Sequence, residues 1–278
     1  MVRIVSDTSS LYSAAQAREA GFDVSPLSVT IAGKSYKEFD EISAEEFTAI
    51  IRQGHMPTSS QPAIGDVAAL YEKYPGDEIL NVSMAMGLSG TYNGAVAAAG
   101  LCGEPERVSV LNTRTLCGPH RYLVEKAVQW AREDCGVKEI RRRLEEKMAS
   151  AKSYLVPLDF DYLRRGGRLS PLVSYVGSAA KLVPVMTQTE DGCRLTIASV
   201  RRGYSHAVKF ITGALQKRGV GQGWRVYISH ADALERAEQT LKALKEAMPQ
   251  AFFEILPLSP AFITQGGPGC VAVQVIEA

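Results

Sequence analysis

Three hydroxyl-rich segments carry the most chemistry in this chain: Asp7-Thr8-Ser9-Ser10, Thr58-Ser59-Ser60-Gln61 and Ser89-Gly90-Thr91. Ser89 opens a run of small residues (Gly94, Ala95, Ala97, Ala98, Ala99) that reads as a helix. A helix N-terminus offers free N–H groups and a partial positive charge, and serine or threonine hydroxyls add donors. Such a site suits a carboxylate or a phosphate without needing a lysine. Each Ser or Thr taken alone is better explained as a helix cap, and it is the convergence of several at one sheet edge that points to a ligand site. Gly87-Leu88-Ser89-Gly90-Thr91 is one residue short of a nucleophile elbow, because Thr91 stands where G-x-S-x-G needs its second glycine. No histidine is evidently paired with Ser89, so triad chemistry has a nucleophile without its base.

Two glycine-rich segments follow. Gly266-Gly267-Pro268-Gly269, after Thr264-Gln265, lacks both the dinucleotide spacing and the Walker lysine. It reads as a tight turn, or as backbone that approaches a ligand with Gln265 as donor. Leu163-Arg164-Arg165-Gly166-Gly167-Arg168 reads either as a helix end capped by Gly166, or as a basic knob for an acidic surface or phosphate, extended by Arg201 and Arg202. Met84, Met86 and Leu88, with Leu182, Val183, Val185 and Met186, are core or a flexible lining for an apolar chain.

The elements that must position these residues are legible. Val2–Val5, Ile79–Val82 and Val108–Leu111 are short apolar runs, each breaking into a polar loop and then a helix. Repeated strand–helix units imply a parallel doubly wound sheet, so the three polar loops should meet at one sheet edge, where open α/β sheets bind ligands. Helical spacing recurs at Val124, Ala127, Val128 and Ala131, and again at Ile140, Leu144 and Met148. Ser43-Ala44-Glu45-Glu46 is a capping box before Phe47, and Asp232 with Glu235 reads as a similar start. The second half differs: Val183–Thr187, Arg194–Val200, Arg225–Ser229, Phe252–Leu256 and Val271–Val275 read as strands, with an Asp191-Gly192 hairpin turn. The expectation is an α/β chain of two domains. Residues 1–152 form the parallel domain, and 153–278 form a mixed or antiparallel sheet with helices.

Composition narrows the function. The 278 residues carry 31 Lys+Arg against 30 Asp+Glu, a formal net charge of +1, so no overall basic field exists to hold nucleic acid. At 46% apolar and 22% charged, the chain is of globular type. No apolar run approaches a spanning helix, and the opening residues turn polar too early for a secretory signal. The five cysteines form no C-x-x-C pair, which fits a reducing compartment and argues against a zinc site; a cytoplasmic protein is expected.

Together these motifs resemble the DegV family. Ser6-Asp7-Thr8-Ser9-Ser10, Pro26-Leu27 followed by Tyr36, Pro57-Thr58-Ser59-Ser60-Gln61-Pro62, Leu88-Ser89-Gly90-Thr91-Tyr92, Leu163–Ser170 and Thr264–Gly269 occur in the family's order and span essentially the whole chain. The resemblance implies a non-enzymatic carrier that buries one long-chain fatty acid in a tunnel between its two domains. It implies no cofactor. The carrier presents the carboxylate to a separate fatty acid kinase, with peripheral membrane contact for lipid exchange. The family's carboxylate-binding hydroxyls fall on Ser59, where the family often has Thr, and on Ser89. Ser60, Gly90, Thr91 and Gln265 complete the expected ligand site, and Arg164, Arg165, Arg168 and Arg202 the expected partner surface. Gln265 replaces a histidine common in the family, and glutamine can donate a hydrogen bond but cannot carry charge. The family's R-x-R-K-K-like stretch is reduced to Arg201-Arg202-Gly203-Tyr204-Ser205. The alternative from the residues alone is a serine hydrolase or phosphotransferase using the sheet-edge loops.

Overall fold

A computed structural model describes residues 1–171, 173 and 182–278. The chain divides into two compact units. The first comprises Met1–Ala149 with Ser259–Ala261, and the second Ser150–Leu258 with Phe262–Ala278.

The first unit runs β1 (Val2–Asp7), α1 (Ala14–Ala20), β2 (Asp23–Ser25), β3 (Ser28–Ile31), β4 (Lys34–Lys37), α2 (Ala44–Arg52), β5 (Thr58–Ser60), α3 (Ile64–Glu72), β6 (Glu78–Ser83), α4 (Thr91–Ala99), β7 (Val108–Asn112), α5 (Cys117–Arg132) and α6 (Val137–Met148). Its main sheet has order β2-β1-β6-β7 and is parallel throughout. The central strands are apolar on both faces because helices cover both. Val5 and Ile79 pack with Val67 and Tyr71 of α3 and Ala95 and Ala98 of α4. By strand alternation Ile4 and Leu80 point the other way, and α5 packs along β1. α2 starts at the expected capping box: Ser43 accepts from the Glu46 N–H while Glu46 bonds back to the Ser43 backbone.

A second, three-stranded antiparallel sheet of order β4-β3-β5 was not evident in the sequence. Thr58–Ser60, read above as part of a hydroxyl-rich loop, is its edge strand β5. Three residues with no hydrophobic alternation carry no strand signal, so pairing to β3 decides their conformation.

The second unit runs β8 (Lys152–Val156), α7 (Phe160–Gly166), β9 (Leu182–Gln188), β10 (Leu195–Arg202), α8 (Tyr204–Lys217), β11 (Trp224–His230), α9 (Leu234–Ala247), β12 (Phe252–Pro257) and β13 (Val271–Glu277), with α10 (Pro260–Gly266) before β13. The sheet has order β10-β9-β8-β13-β11-β12, and only β11–β12 pair in parallel. The mixed sheet is therefore as expected. Its core joins Val226, Ile228, Val273 and Val275 to Ala207, Ile211 and Leu215 of α8 and to Ala237 and Leu244 of α9. The Asp232 cap is not formed. Asp232 adopts a left-handed φ of 49°, and α9 begins after Ala233 with no side-chain cap bond.

Candidate functional site

The loops after β1, β6 and β7 leave the same edge of the parallel sheet and are tied together by buried polar groups. Asp7 ends β1. Its carboxylate accepts from the Ser9 N–H at 3.0 Å, the Met84 N–H at 3.1 Å and the Ser83 hydroxyl at 3.3 Å. Thr113 donates to the Ser83 carbonyl from both its N–H and its hydroxyl, each at 2.9 Å, and the Ala85 N–H reaches the Thr115 carbonyl. The convergence expected from the strand–helix order is thus present. Two charge-assisted bonds to backbone amides make Asp7 the strongest tie in it.

Beneath this edge lies His120, fully buried on α5. Its Nε2–H donates to the Val82 carbonyl at 3.0 Å, with the Ser6 hydroxyl 3.2 Å away, and its Nδ1 accepts from the Ser9 hydroxyl at 2.7 Å. The tautomer follows from the Val82 carbonyl, which only accepts. Ser9 and His120 form a hydroxyl–imidazole pair that the sequence did not reveal, since the partners are 111 residues apart. Both are buried with zero exposure.

Ser89 is placed differently from the expectation that it opens α4. The residue before the helix is Gly90, with no side-chain cap. The Ser89 hydroxyl instead accepts from the Thr91 N–H at 3.3 Å and shares a 2.8 Å hydrogen bond with the Thr91 hydroxyl. Its partner is another hydroxyl, not a base. Ser59 and Ser60 sit on β5 opposite Val29 and Ser28.

Gln61 connects these two motifs. Its side-chain amide oxygen occupies the space that a side chain on Gly90 would need, and its nitrogen lies 2.7 Å from where a Cβ on Gly94 would stand. Thr58-Ser59-Ser60-Gln61 is therefore packed against Ser89-Gly90-Thr91, and glycine at 90 and 94 permits the approach. The sequence placed the hydroxyls in both motifs, but not Gln61 as the contact between them.

In the second unit the two glycine-rich segments also meet. The Gln265 side chain fills the space beside Gly166, and the Tyr162 ring lies 2.7 Å from where a Cβ on Gly267 would be. Gly267 has φ 76° and Gly269 φ 81°. The cap of α7 is Gly167, in the left-handed region at φ 69°, and not Gly166, which is the last helical residue. Either glycine allows such a cap, so its place is legible in the sequence only to within one residue. Arg164 pairs with Asp161 at 3.2 Å, Arg168 donates to the Gly166 carbonyl, and Arg165 is exposed. Leu195 at one end of β10 bonds to the Arg168 backbone, while Arg202 is seven residues further along the same strand. At about 3.3 Å per residue their backbones are roughly 23 Å apart, so these two arginines do not form one cluster.

Among the described residues no group of His, Cys, Asp and Glu is arranged to hold a metal ion, and no helix is long and apolar enough to cross a membrane.

Comparison with known proteins follows the same lines. The family model described as "Uncharacterised protein, DegV family" matches residues 1–278. The DegV domain-containing protein TTE1491 of Caldanaerobacter subterraneus is 30% identical over 256 residues, covering 91% of this chain and 90% of that protein. Among solved structures, a DegV lipid binding protein from Thermotoga maritima superposes with a TM-score of 0.86 at 27% identity, covering 99% of this chain and 98% of its own. A DegV family protein from Thermus thermophilus, described for its fatty acid binding, gives a TM-score of 0.86 at 25% identity, covering 100% and 99%.

Proposed function

The chain belongs to the DegV family along its whole length, and from that premise we propose that it binds one long-chain fatty acid. The carboxylate is held by Ser59, Ser60, Ser89, the Gly90 backbone and Thr91, and the tail lies in a buried tunnel. The observation that carries this reading is the seating of Gln61 on Gly90 and Gly94, which packs the two hydroxyl motifs against each other at one sheet edge. The fatty-acid and lipid binding described for the Thermus and Thermotoga proteins supports it.

The division of labour is physical. Removing about 14 methylenes of a C16 tail from water is worth at most about 11 kcal/mol at 0.8 each. Lost translational freedom and tail ordering reduce that considerably. The tail supplies affinity, while the head group supplies orientation. A carboxylate buried without donors would be costly, so the hydroxyls and the α4 N-terminus offset its desolvation. The same proposal has a separate fatty acid kinase receive the carboxylate, docking near Arg164, Arg165 and Arg168. The chain itself performs no chemistry. The hydrolase alternative draws no support from the geometry: Ser89 is paired with Thr91, and the Ser9–His120 pair is sealed from solvent.

The test is denaturing extraction of the purified protein with lipid mass spectrometry, followed by palmitate titration of Ser59→Ala and Ser89→Ala. Each variant loses one hydrogen bond to a charged group, about 1.5–3 kcal/mol, or roughly 10- to 100-fold in Kd. No extractable fatty acid and no palmitate binding would end the proposal.

A further inference from the structure

Glu38, the residue after β4, is fully buried and has no cationic partner among the described residues. The Thr8 hydroxyl donates to its Oε1 at 2.5 Å, and the Ala261 N–H, 223 residues away, donates to its Oε2 at 2.8 Å. Thr8 Oγ1 in turn accepts from the Leu27 N–H at 3.0 Å, which directs its proton to Glu38. The buried Ser259 hydroxyl lies close enough to act on the same carboxylate, although outside hydrogen-bonding geometry.

The charged groups around Glu38 are few. Asp7, on β1, acts on it with like sign. Lys37, Asp40 and Glu41 on its own segment are exposed, and Lys37 pairs outward with Asp66. The segment Ser259–Ala261 and Leu27 bring no charge, and His120 bonds to Ser6, Ser9 and Val82 rather than to Glu38. Burial, joined by the Asp7 charge, raises the Glu38 pKa to about 7 against the donors that pull it down.

Register places this carboxyl near the proposed head-group site. Lys37 stands opposite Ser28, and Ser28 stands opposite Ser60. Two strand spacings of about 4.8 Å set the backbones at positions 37 and 60 roughly 10 Å apart. An anionic head group beside Ser60 therefore adds a further negative charge to a region that already buries two carboxyls.

Resting on the reading that Ser59, Ser60 and Ser89 hold a carboxylate, we propose that Glu38 is the charge-compensating residue of the site, taking up a proton from solvent as the anionic head group binds. The proton goes onto the Glu38 carboxyl, and the oxygen left unprotonated keeps its Thr8 or Ala261 donor. Glu38 touches no ligand atom in this account; it sets the field in which the head group sits. At a separation of the same order as the roughly 10 Å between those backbones, two unit charges at an effective dielectric near 20 shift each other's titration by about one pH unit, or roughly tenfold in affinity. With a midpoint moving from about 7 to about 8, binding at pH 7 takes up about 0.4 proton, and affinity falls roughly eightfold between pH 6 and pH 9.

The test is isothermal calorimetry on the full chain stripped of lipid, in buffers of different ionisation enthalpy. The probes are palmitate and hexadecanesulfonate, whose head group cannot itself take up a proton. Wild type takes up about 0.4 proton per sulfonate at pH 7, whereas isosteric Glu38→Gln takes up none and binds with a flat pH profile. No uptake in wild type, or unchanged uptake in Glu38→Gln, overturns the inference while leaving fatty acid binding intact. Failure of wild type to bind either probe overturns the underlying function instead. If Glu38→Gln does not fold, carbon-13 shifts of the glutamate carboxyls in wild type decide. One glutamate titrating near pH 7 free and near pH 8 bound supports the inference, and none doing so overturns it.

Discussion

Asp7→Asn is the sharpest probe of how the candidate site is built. The Asp7 carboxylate is nearly inaccessible and accepts three hydrogen bonds, two of them from backbone amides on different loops. Asparagine keeps the shape but offers one carbonyl oxygen and one NH2 group. The Ser83 hydroxyl can rotate to accept from that NH2, but a backbone N–H cannot. Either Ser9 or Met84 is left with its N–H facing another donor. A hydrogen bond to a charged group is worth about 1.5–3 kcal/mol, and an unsatisfied buried donor costs about 1–3. Relief of the buried charge offsets part of this, so a loss of about 2–4 kcal/mol is expected. For a unit of this size that lowers Tm by roughly 5–15 °C. Differential scanning calorimetry measures it directly, and hydrogen exchange should show the Ser9 or the Met84 amide losing protection. A loss under about 1 kcal/mol, with both amides still protected, would refute the view that Asp7 ties the β1 and β6 loops.

Three further outcomes follow from separate observations. Gly267→Ala places a methyl about 2.7 Å from the Tyr162 ring at a φ of 76°; left-handed strain of about 1–2 kcal/mol and overpacking of about 1–3 together predict a thermal destabilisation of about 2–5 kcal/mol. Gly90→Ala has an ordinary backbone conformation but displaces the Gln61 side chain; urea unfolding should change by less than about 1 kcal/mol while palmitate affinity falls at least tenfold, separating a site role from a core role. Glu38 gives a pH signature of stability. Its folded pKa of about 7 lies above the ordinary value of 4.5, so its stabilising contribution is complete below pH 4.5 and is lost as pH rises through 7. The loss is about 3 kcal/mol, and urea titrations of Glu38→Gln should lack that decline.

What the sequence revealed and what it hid follow from the range of the interactions. The runs at Val2 and Ile79 are legible because a strand covered by helices on both faces must be largely apolar, and the half-buried edge strand at Val108 because its run is still mostly apolar. Once those strands are parallel, the meeting of their loops is a consequence of topology, and so the loops at Asp7, Ser83 and Thr113 could be placed in advance, whereas Thr58–Ser60 is a strand of a separate sheet. The antiparallel hairpin around Asp191-Gly192 was equally local, and Gly192 adopts the φ of 71° that such turns use. Glu38, His120 and Gln61 could not be found this way. Each looks like an ordinary polar residue until the fold brings partners from 29 to 223 residues away. The strands β3, β4 and β5 escaped because three or four residues carry too little periodicity to register. Asp232 failed as a cap because its left-handed backbone moves the helix start to Leu234.

The central claim is that uncharged donors on two packed motifs grip the acid end of a fatty acid. A crystal structure of the chain with palmitate bound tests it most directly. The account predicts carboxylate oxygens within about 3.2 Å of the Ser59 and Ser89 hydroxyls. A carboxylate bound elsewhere, with both hydroxyls facing water, would contradict it.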